Sequence, residues 1–299
     1  MPLCPVYYHP ASLDHLIAPK HPESPARLRA VLDRIRARDP GAIREAPRAS
    51  REAVRRVHPD EYLDRLHAVA EQGGGQLDAD TGMNGASWEA ALGAVGAVLA
   101  AVDSALGGRP AFAAVRPPGH HALAGRAMGF CLLANVVIGA RAVQARGVER
   151  VLIVDWDVHH GNGTQALVEN DPSIRFVSLH QWPHWPFSGS RDEKGVGNVF
   201  NVPMRAGLDP DRYVEGLWQA VERATTGWTP GAILISAGFD SMRGDLLGGF
   251  TLEPEHYGLW VDRLRNRFQD APIAAAMEGG YVPYRLAEGV ETVAEALGH

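Results

Sequence analysis

The sequence predicts an α/β fold of three layers, a mainly parallel sheet covered by helices on both faces, in a single domain. Three observations lead there. Short apolar runs alternate with longer stretches of helical periodicity, as strands do when crossover helices join them. Those runs are apolar throughout instead of alternating with polar residues, which is how strands read when both sheet faces are covered. Polar and ionisable residues gather just after the runs end, and neither an internal repeat nor a long linker divides the chain.

Taken in order, PVYY near the start is the first strand. Pro25–Arg38 is the first amphipathic helical stretch. Residues 86–106 form a second helical stretch, rich in Ala and Gly. AFAAV (111–115) is a strand, 131–146 a helix, VLIVD (151–155) a strand and IRFVSLH (174–180) another. Helical periodicity returns at 211–224 and is followed by the strand AILISAG (232–238), the helix 254–268 and the strand PIAAAME (272–278).

Bulk properties narrow the function classes. A length of 299 residues suits one α/β domain with a large core. The formal charge of -6, without a run of Lys or Arg, disfavours nucleic acid and anionic lipid as partners. Cys4 and Cys131 are the only cysteines, which excludes a disulfide framework or a cysteine zinc cluster and fits a reducing compartment. The start MPLCPVYYHP lacks the basic, then apolar, pattern of a signal peptide, and the apolar stretches near 90–101 and 129–140 are too short and Gly/Ala-rich to span a bilayer. A cytoplasmic protein without a membrane partner is expected, with oligomerisation left open. Only Lys20 and Lys194 among 29 basic residues are lysine, a bias that suggests GC-rich bacterial coding.

The chemistry is written at the strand ends. AFAAV is followed by RPPGHH, VLIVD by WDVHHGNG, FVSLH by an aromatic loop, ILISAG by FDS, and AAAME by GGY. Open parallel sheets bind ligands at the carboxyl ends of their strands, so these five distant segments should meet in one crevice.

Residues two apart in an extended segment face the same side, so Asp155, Asp157 and His159 share a face. Zinc accepts mixed carboxylate and imidazole ligands, and a catalytic site keeps one position open. A further ligand must come from another strand end, and Asp240 in SAGFDS is the candidate. The bland alternative makes Asp155 and Asp157 helix caps and the histidines surface turn residues; it weakens once the other segments are counted. His120 and His121, after the stiff Pro117-Pro118 step and Gly119, read as an acid/base pair or as a solvated loop pair. Tyr281, after two glycines, can aim a phenol into the crevice as an oxyanion donor.

HPESPARL (21–28), RPPGHHA (116–122), MGFCLLAN (128–135), VDWDVHHGNGTQ (154–165), SLH (178–180), NVPM (201–204), SAGFDS (236–241) and EGGYVP (278–283) together resemble the zinc-dependent histone deacetylase family, within the arginase/deacetylase fold. They span nearly the whole chain. DWDVHHGNGTQ is similar to the class II branch and its bacterial amidohydrolase relatives. The resemblance implies one zinc ion on Asp157, His159 and Asp240, which moves Asp155 behind the ligands as partner of His120. It implies a structural potassium ion at Asp155, Asp157, His159, Ser178 and Leu179, partly through carbonyl groups. It pairs His121 with Asn162, where other relatives carry aspartate. An amide raises the basicity of its histidine less than a carboxylate does, so His120 and His121 should differ in protonation.

The mechanism this implies is metal-assisted attack of water on an amide, with His121 as base, a protonated histidine as acid and Tyr281 on the oxyanion. Carboxylate-rich zinc makes its water less acidic than a tris-histidine site does, hence the need for a base. The substrate would be an acetylated or otherwise acylated lysine of a protein or peptide, or a small acyl-amine.

HQWPHWPFSGSRDEKGVGN (180–198) reads as an active-site rim in which Trp182, Trp185 and Phe187 join Phe130 around an apolar slot. By resemblance Phe130 and Phe187 flank the tunnel, with Gly129, Leu247 and Gly279 also part of it. Relatives that favour acetylpolyamines carry an acid at the position of Leu247, so leucine leans towards acyl-lysine, although Asp78 or Asp80 at the rim could compensate. Two other classes stay in view: a two-manganese arginase-like hydrolase, for which no second Asp-rich strand end is found, and a catalytically silent binding module, which would not need the histidine pair.

Overall fold

The computed structural model describes residues 2–299. Ten strands occur in chain order: β1 (Val6–Tyr8), β2 (Ile43–Glu45), β3 (Gly74–Gln76), β4 (Gly82–Asn84), β5 (Ala111–Ala113), β6 (Val151–Asp155), β7 (Ile174–Gln181), β8 (Val199–Met204), β9 (Ala232–Ala237) and β10 (Ile273–Met277). Eight of them form one sheet in the order β2-β1-β5-β10-β9-β6-β7-β8, and β3 pairs with β4 in a separate antiparallel hairpin. Every pairing in the large sheet is parallel.

The helices are α1 (Pro25–Arg38), α2 (Arg51–Arg55), α3 (Asp60–Glu71), α4 (Ser87–Leu106), α5 (Asn135–Ala145), α6 (Asn162–Val168), α7 (Pro210–Thr225), α8 (Pro254–Arg267) and α9 (Pro283–Gly298). α4 and α5 pack together and against the sheet centre, while α1, α9, α8 and α7 form a contiguous second layer. α4 is long and apolar enough to cross a membrane by composition alone, with a mean hydropathy of 1.6, but it packs against β1, β5 and β10 as a core helix. Its Ala and Gly residues explain the fit, because small side chains let a helix lie close on an Ala-rich strand such as β10.

The sequence reading did not anticipate β2, β3, β4, α2, α3, α6 or α9, and two further elements differ from it in instructive ways. The helix expected over 131–146 starts at Asn135, since 128–134 fold into turns: Cys131 N–H bonds Met128 O, and the Tyr62 hydroxyl donates to Leu132 O at 2.6 Å. β8 was not anticipated because Pro203 interrupts its apolar pattern; proline, which has no N–H to give, is tolerated here on an edge strand.

The five strands expected to end in reactive residues are neighbours, β5-β10-β9-β6-β7. Register aligns their ends: Asp155 of β6 stands opposite Ser178 of β7 and Ser236 of β9. The chain leaves β5 for β6 across the strands it fills later, and the crevice opens over that reversal of order.

Candidate active site

The turn after β6 is built by its own carboxylates. Asp155 Oδ1 accepts the Asp157 N–H at 3.1 Å, and Asp157 Oδ1 accepts the His159 N–H at 2.9 Å. Each aspartate thus satisfies the amide two residues on, which is why acids alternate through this turn. Asp240, beyond β9, reaches across to accept the Val158 N–H on Oδ1 at 2.9 Å. Its Oδ2 is buried without a hydrogen bond and lies 3.2 Å from His159 Nδ1, which is also 3.0 Å from Asp157 Oδ1. Among the described residues, Asp157, His159 and Asp240 form one group whose ligand atoms all lie within 4.8 Å of one another. Asp155 turns away, with Oδ2 3.0 Å from His120 Nδ1.

Three fully buried carboxylates demand positive charge. From the protein's own charges, burial and the neighbouring Asp157 push Asp240 up to about 7. Burial would lower His159, but the bonds and charges of Asp157 and Asp240 draw it up to about 9. Burial would likewise raise Asp157, yet the charge of His120 and the contact with His159 hold it well below the ordinary carboxylate value. The raised Asp240 and His159 both reflect negative charge crowded in a buried space, and the orphaned Asp240 oxygen points to where a cation fits.

The paired histidines diverge in their environments. Burial opposes a proton on His120, but the charges of Asp157, Asp155 and Glu278 raise it to about 10. His121 is held well below its ordinary value, first by burial and then by the positive charges of His120 and His159. Its Nδ1 lies 2.7 Å from Asn162 Oδ1; an amide oxygen only accepts, so Nδ1 carries the hydrogen and Nε2 is left as a free base. Glu278, at the end of β10, holds the pair's backbone by accepting the Gly119 and His120 N–H groups at 2.7 and 3.2 Å.

Tyr281 shares the base of the cavity with His121 and His159. Burial keeps its phenol well above the ordinary value, so it stays a neutral donor, and its ring packs edge-on against Phe130 at 5.9 Å with Arg27 above it. A cavity of about 210 Å³ runs from the surface to these groups. Phe130, Trp185 and Leu247 are its apolar walls, His121, His159 and Tyr281 its floor, and Asp80, Gly129 and His184 complete it. Gly129 and Phe130 both hold left-handed backbones, φ 56 and 68, fixed by N–H bonds to Asp80 Oδ1 and Thr81 Oγ1. Such a conformation is costly for phenylalanine and aims its ring into the passage. Wider grooves elsewhere, such as the one at Glu215, Trp218 and Arg263, hold no comparable cluster among the described residues.

Residues 21–297 match the model of the histone deacetylase domain. The chain belongs to the histone deacetylase family. It is 37% identical to a histone deacetylase-like amidohydrolase of Pseudomonas aeruginosa, over 91% of this chain and 74% of that protein. Among solved structures it superimposes on the HDA15 HD domain with a TM-score of 0.93 at 33% identity, over 98% of this chain and 90% of that one. It superimposes on an acetylpolyamine aminohydrolase from Burkholderia pseudomallei with a TM-score of 0.90 at 25% identity, over 99% and 98%. The protein is therefore a deacetylase, a hydrolase of the arginase/deacetylase fold.

Within this deacetylase three residues expected at the slot or tunnel, Phe187, Trp182 and Gly279, sit outside the cavity. Phe187 is 72% exposed and outside the cavity. Its left-handed backbone, φ 62, follows Trp185, whose ring already occupies the wall, packed edge-on against His121 at 4.7 Å. Trp182 does not line the cavity either. Gly279 lies behind the floor: its N–H donates to Asp157 Oδ2 at 2.8 Å, and a side chain there would overlap Asp240 and Asp157. Ser178 and Leu179 are buried, with Ser178 Oγ 3.0 Å from His180 Nδ1. Sequence reasoning missed Glu278, Asp245, His184 and the buried trio Glu23, Arg27 and Arg116. For Glu278 a signal existed, a lone acid closing an otherwise apolar strand.

Proposed function

We propose that the protein removes acetyl or other short acyl groups from lysine side chains of proteins or peptides, with zinc on Asp157, His159 and Asp240. The observation that carries this is an apolar slot with Phe130, Trp185 and Leu247 as walls, ending on a carboxylate and imidazole cluster that has a neutral base on one side and a phenol on the other. An acyl-lysine stem is apolar and narrow, and its amide would reach the floor. Zinc held there supplies Lewis-acid polarisation of the amide carbonyl and of water. A potassium ion at Asp155, Asp157, His159, Ser178 and Leu179 would add charge neutralisation at the paired ends of β6 and β7.

The chain's own residues then divide the proton work. His121 Nε2 takes the proton of the attacking water and, once protonated, gives it to the departing amine. His120 keeps its proton against Asp155 and balances the buried acids. The Tyr281 hydroxyl donates to the carbonyl oxygen as it becomes an oxyanion, worth about 3–4 kcal/mol. A short carboxylate and a primary amine are released.

A fluorogenic acetyl-lysine peptide tests this: turnover lost on chelation and in Asp157→Ala or His159→Ala supports it, and no turnover across acyl-lysine substrates by zinc-loaded protein counts against it. A second reading, a small acetylpolyamine as substrate, draws on the likeness to the Burkholderia aminohydrolase and on Asp80 at the cavity. Higher kcat/KM for acetylpolyamines than for acyl-lysine peptides would select it.

A further inference from the structure

Among the described residues the Tyr281 hydroxyl has no hydrogen-bond partner, so its aim depends on how the backbone behind it is held. Arg27 holds one side, donating to the carbonyls of Glu278 and Gly280. Asp245 holds the other. Its Oδ2 accepts the Tyr281 N–H at 2.7 Å while its Oδ1 accepts the Leu247 N–H at 3.0 Å. Leu247 is a wall of the cavity, and its carbonyl lies 2.9 Å from His184 Nε2, another cavity residue. The Asp245 carboxylate accepts from these two amides, with the charge of Arg27 nearby. Gly280, at φ 116, holds a left-handed backbone that favours glycine, so the turn into Tyr281 depends on its neighbours for its exact course.

We propose that Asp245 is a positioning residue for Tyr281, joining the oxyanion donor to the Leu247 wall so that both move as one piece. The inference rests on the deacetylase reading above. Asparagine is the same size, but its Oδ1 can accept from only one of the two amides, and its NH₂ meets the other donor to donor. A displaced catalytic group costs turnover before it costs ground-state binding, since the phenol is needed most when the oxyanion forms.

The test is a double-mutant cycle of D245N and Y281F, with kcat, KM, thermal midpoint and bound zinc measured for each zinc-loaded protein on an acetyl-lysine peptide. In the wild-type background D245N should lower kcat by about 10- to 100-fold and leave KM within about threefold. In the Y281F background the same change should lower kcat by less than about twofold, because there is no hydroxyl left to aim. Asp245→Glu, which keeps the carboxylate, should recover part of the activity lost in Asp245→Ala, and Asp245→Ala takes the place of D245N in the cycle should D245N fail to fold. Equal losses in both backgrounds, a loss confined to KM, or full activity of D245N would overturn the proposal. Wild-type protein without turnover would overturn the deacetylase reading as well, which separates the two failures.

Discussion

Two buried polar clusters lie close to Tyr281 at the same end of the sheet, and they resolve the burial of charge in opposite ways. Glu23, Arg27 and Arg116 form a closed cluster. Glu23 accepts Arg116 Nε and Nη2 at 2.5 and 2.7 Å and Arg27 Nη1 at 3.1 Å, and the remaining guanidinium donors reach the carbonyls of Ser12, His15, Glu278 and Gly280. Among the described residues no guanidinium pairs with Asp155, Asp157 or Asp240; imidazoles and amides meet them, and one oxygen of Asp240 remains unbonded. In the first cluster both Glu23 oxygens are met by guanidinium groups of the chain, and the cluster serves shape. The second is completed only by an ion, and serves chemistry.

The comparison breaks most visibly at Asp240. Asp240→Asn should abolish deacetylation, since the amide is a poor zinc ligand. The same change should leave the thermal midpoint of chelated protein unchanged or higher, because Oδ1 still accepts the Val158 N–H and repulsion from Asp157 is relieved. Differential scanning calorimetry with an activity assay reads both; a large drop in midpoint would mean that this cluster, too, is structural. Glu23→Ala is the mirror case. It strands two buried guanidinium groups, and urea unfolding should show a loss of about 3–5 kcal/mol.

Tyr281→Phe removes only the donor and should lower kcat by about 10²–10³ with little change in KM, measured by steady-state kinetics. Unchanged turnover would remove the phenol from the account. The Glu23 cluster also has a pH signature. Burial would raise the Glu23 carboxyl, but Arg116 and Arg27 hold it down to about 2, from an ordinary value of 4.5. A group depressed in the folded state stabilises above its unfolded value, so that contribution is intact above pH 4.5 and is lost as pH falls through about 2. Glu23→Gln should flatten the dependence of unfolding free energy on pH in that window. Asn162→Asp carries the smallest expected effect: a carboxylate on His121 Nδ1 favours its charged form and should move the acid limb of the kcat/KM profile upward by about one unit. An unmoved limb would show that another group sets it.

The open cluster was the legible one. Alternating acids after an apolar strand, and further polar residues at other strand ends, follow from local spacing and from where parallel sheets bind ligands, so Asp157, His159 and Asp240 stand out without coordinates. The closed cluster was not legible, because Glu23 and Arg116 meet across 93 residues and neither sits in a pattern that announces a partner. The same limit applies to the passage. WPHWPF supplies several aromatics, and only the backbone turn at Phe187 decides that Trp185 faces the cavity and Phe187 the solvent. The central strands were read from their apolar runs, whereas β2 and β8, at the sheet edges, carry charge or proline and blend into loops.

Zinc titration of chelated wild-type protein, followed by turnover of an acetyl-lysine peptide, tests the central claim most directly. Activity should rise in proportion to added metal and level off at one equivalent per chain. Saturation at two equivalents, or full activity before any metal is added, would contradict a single ion held by Asp157, His159 and Asp240.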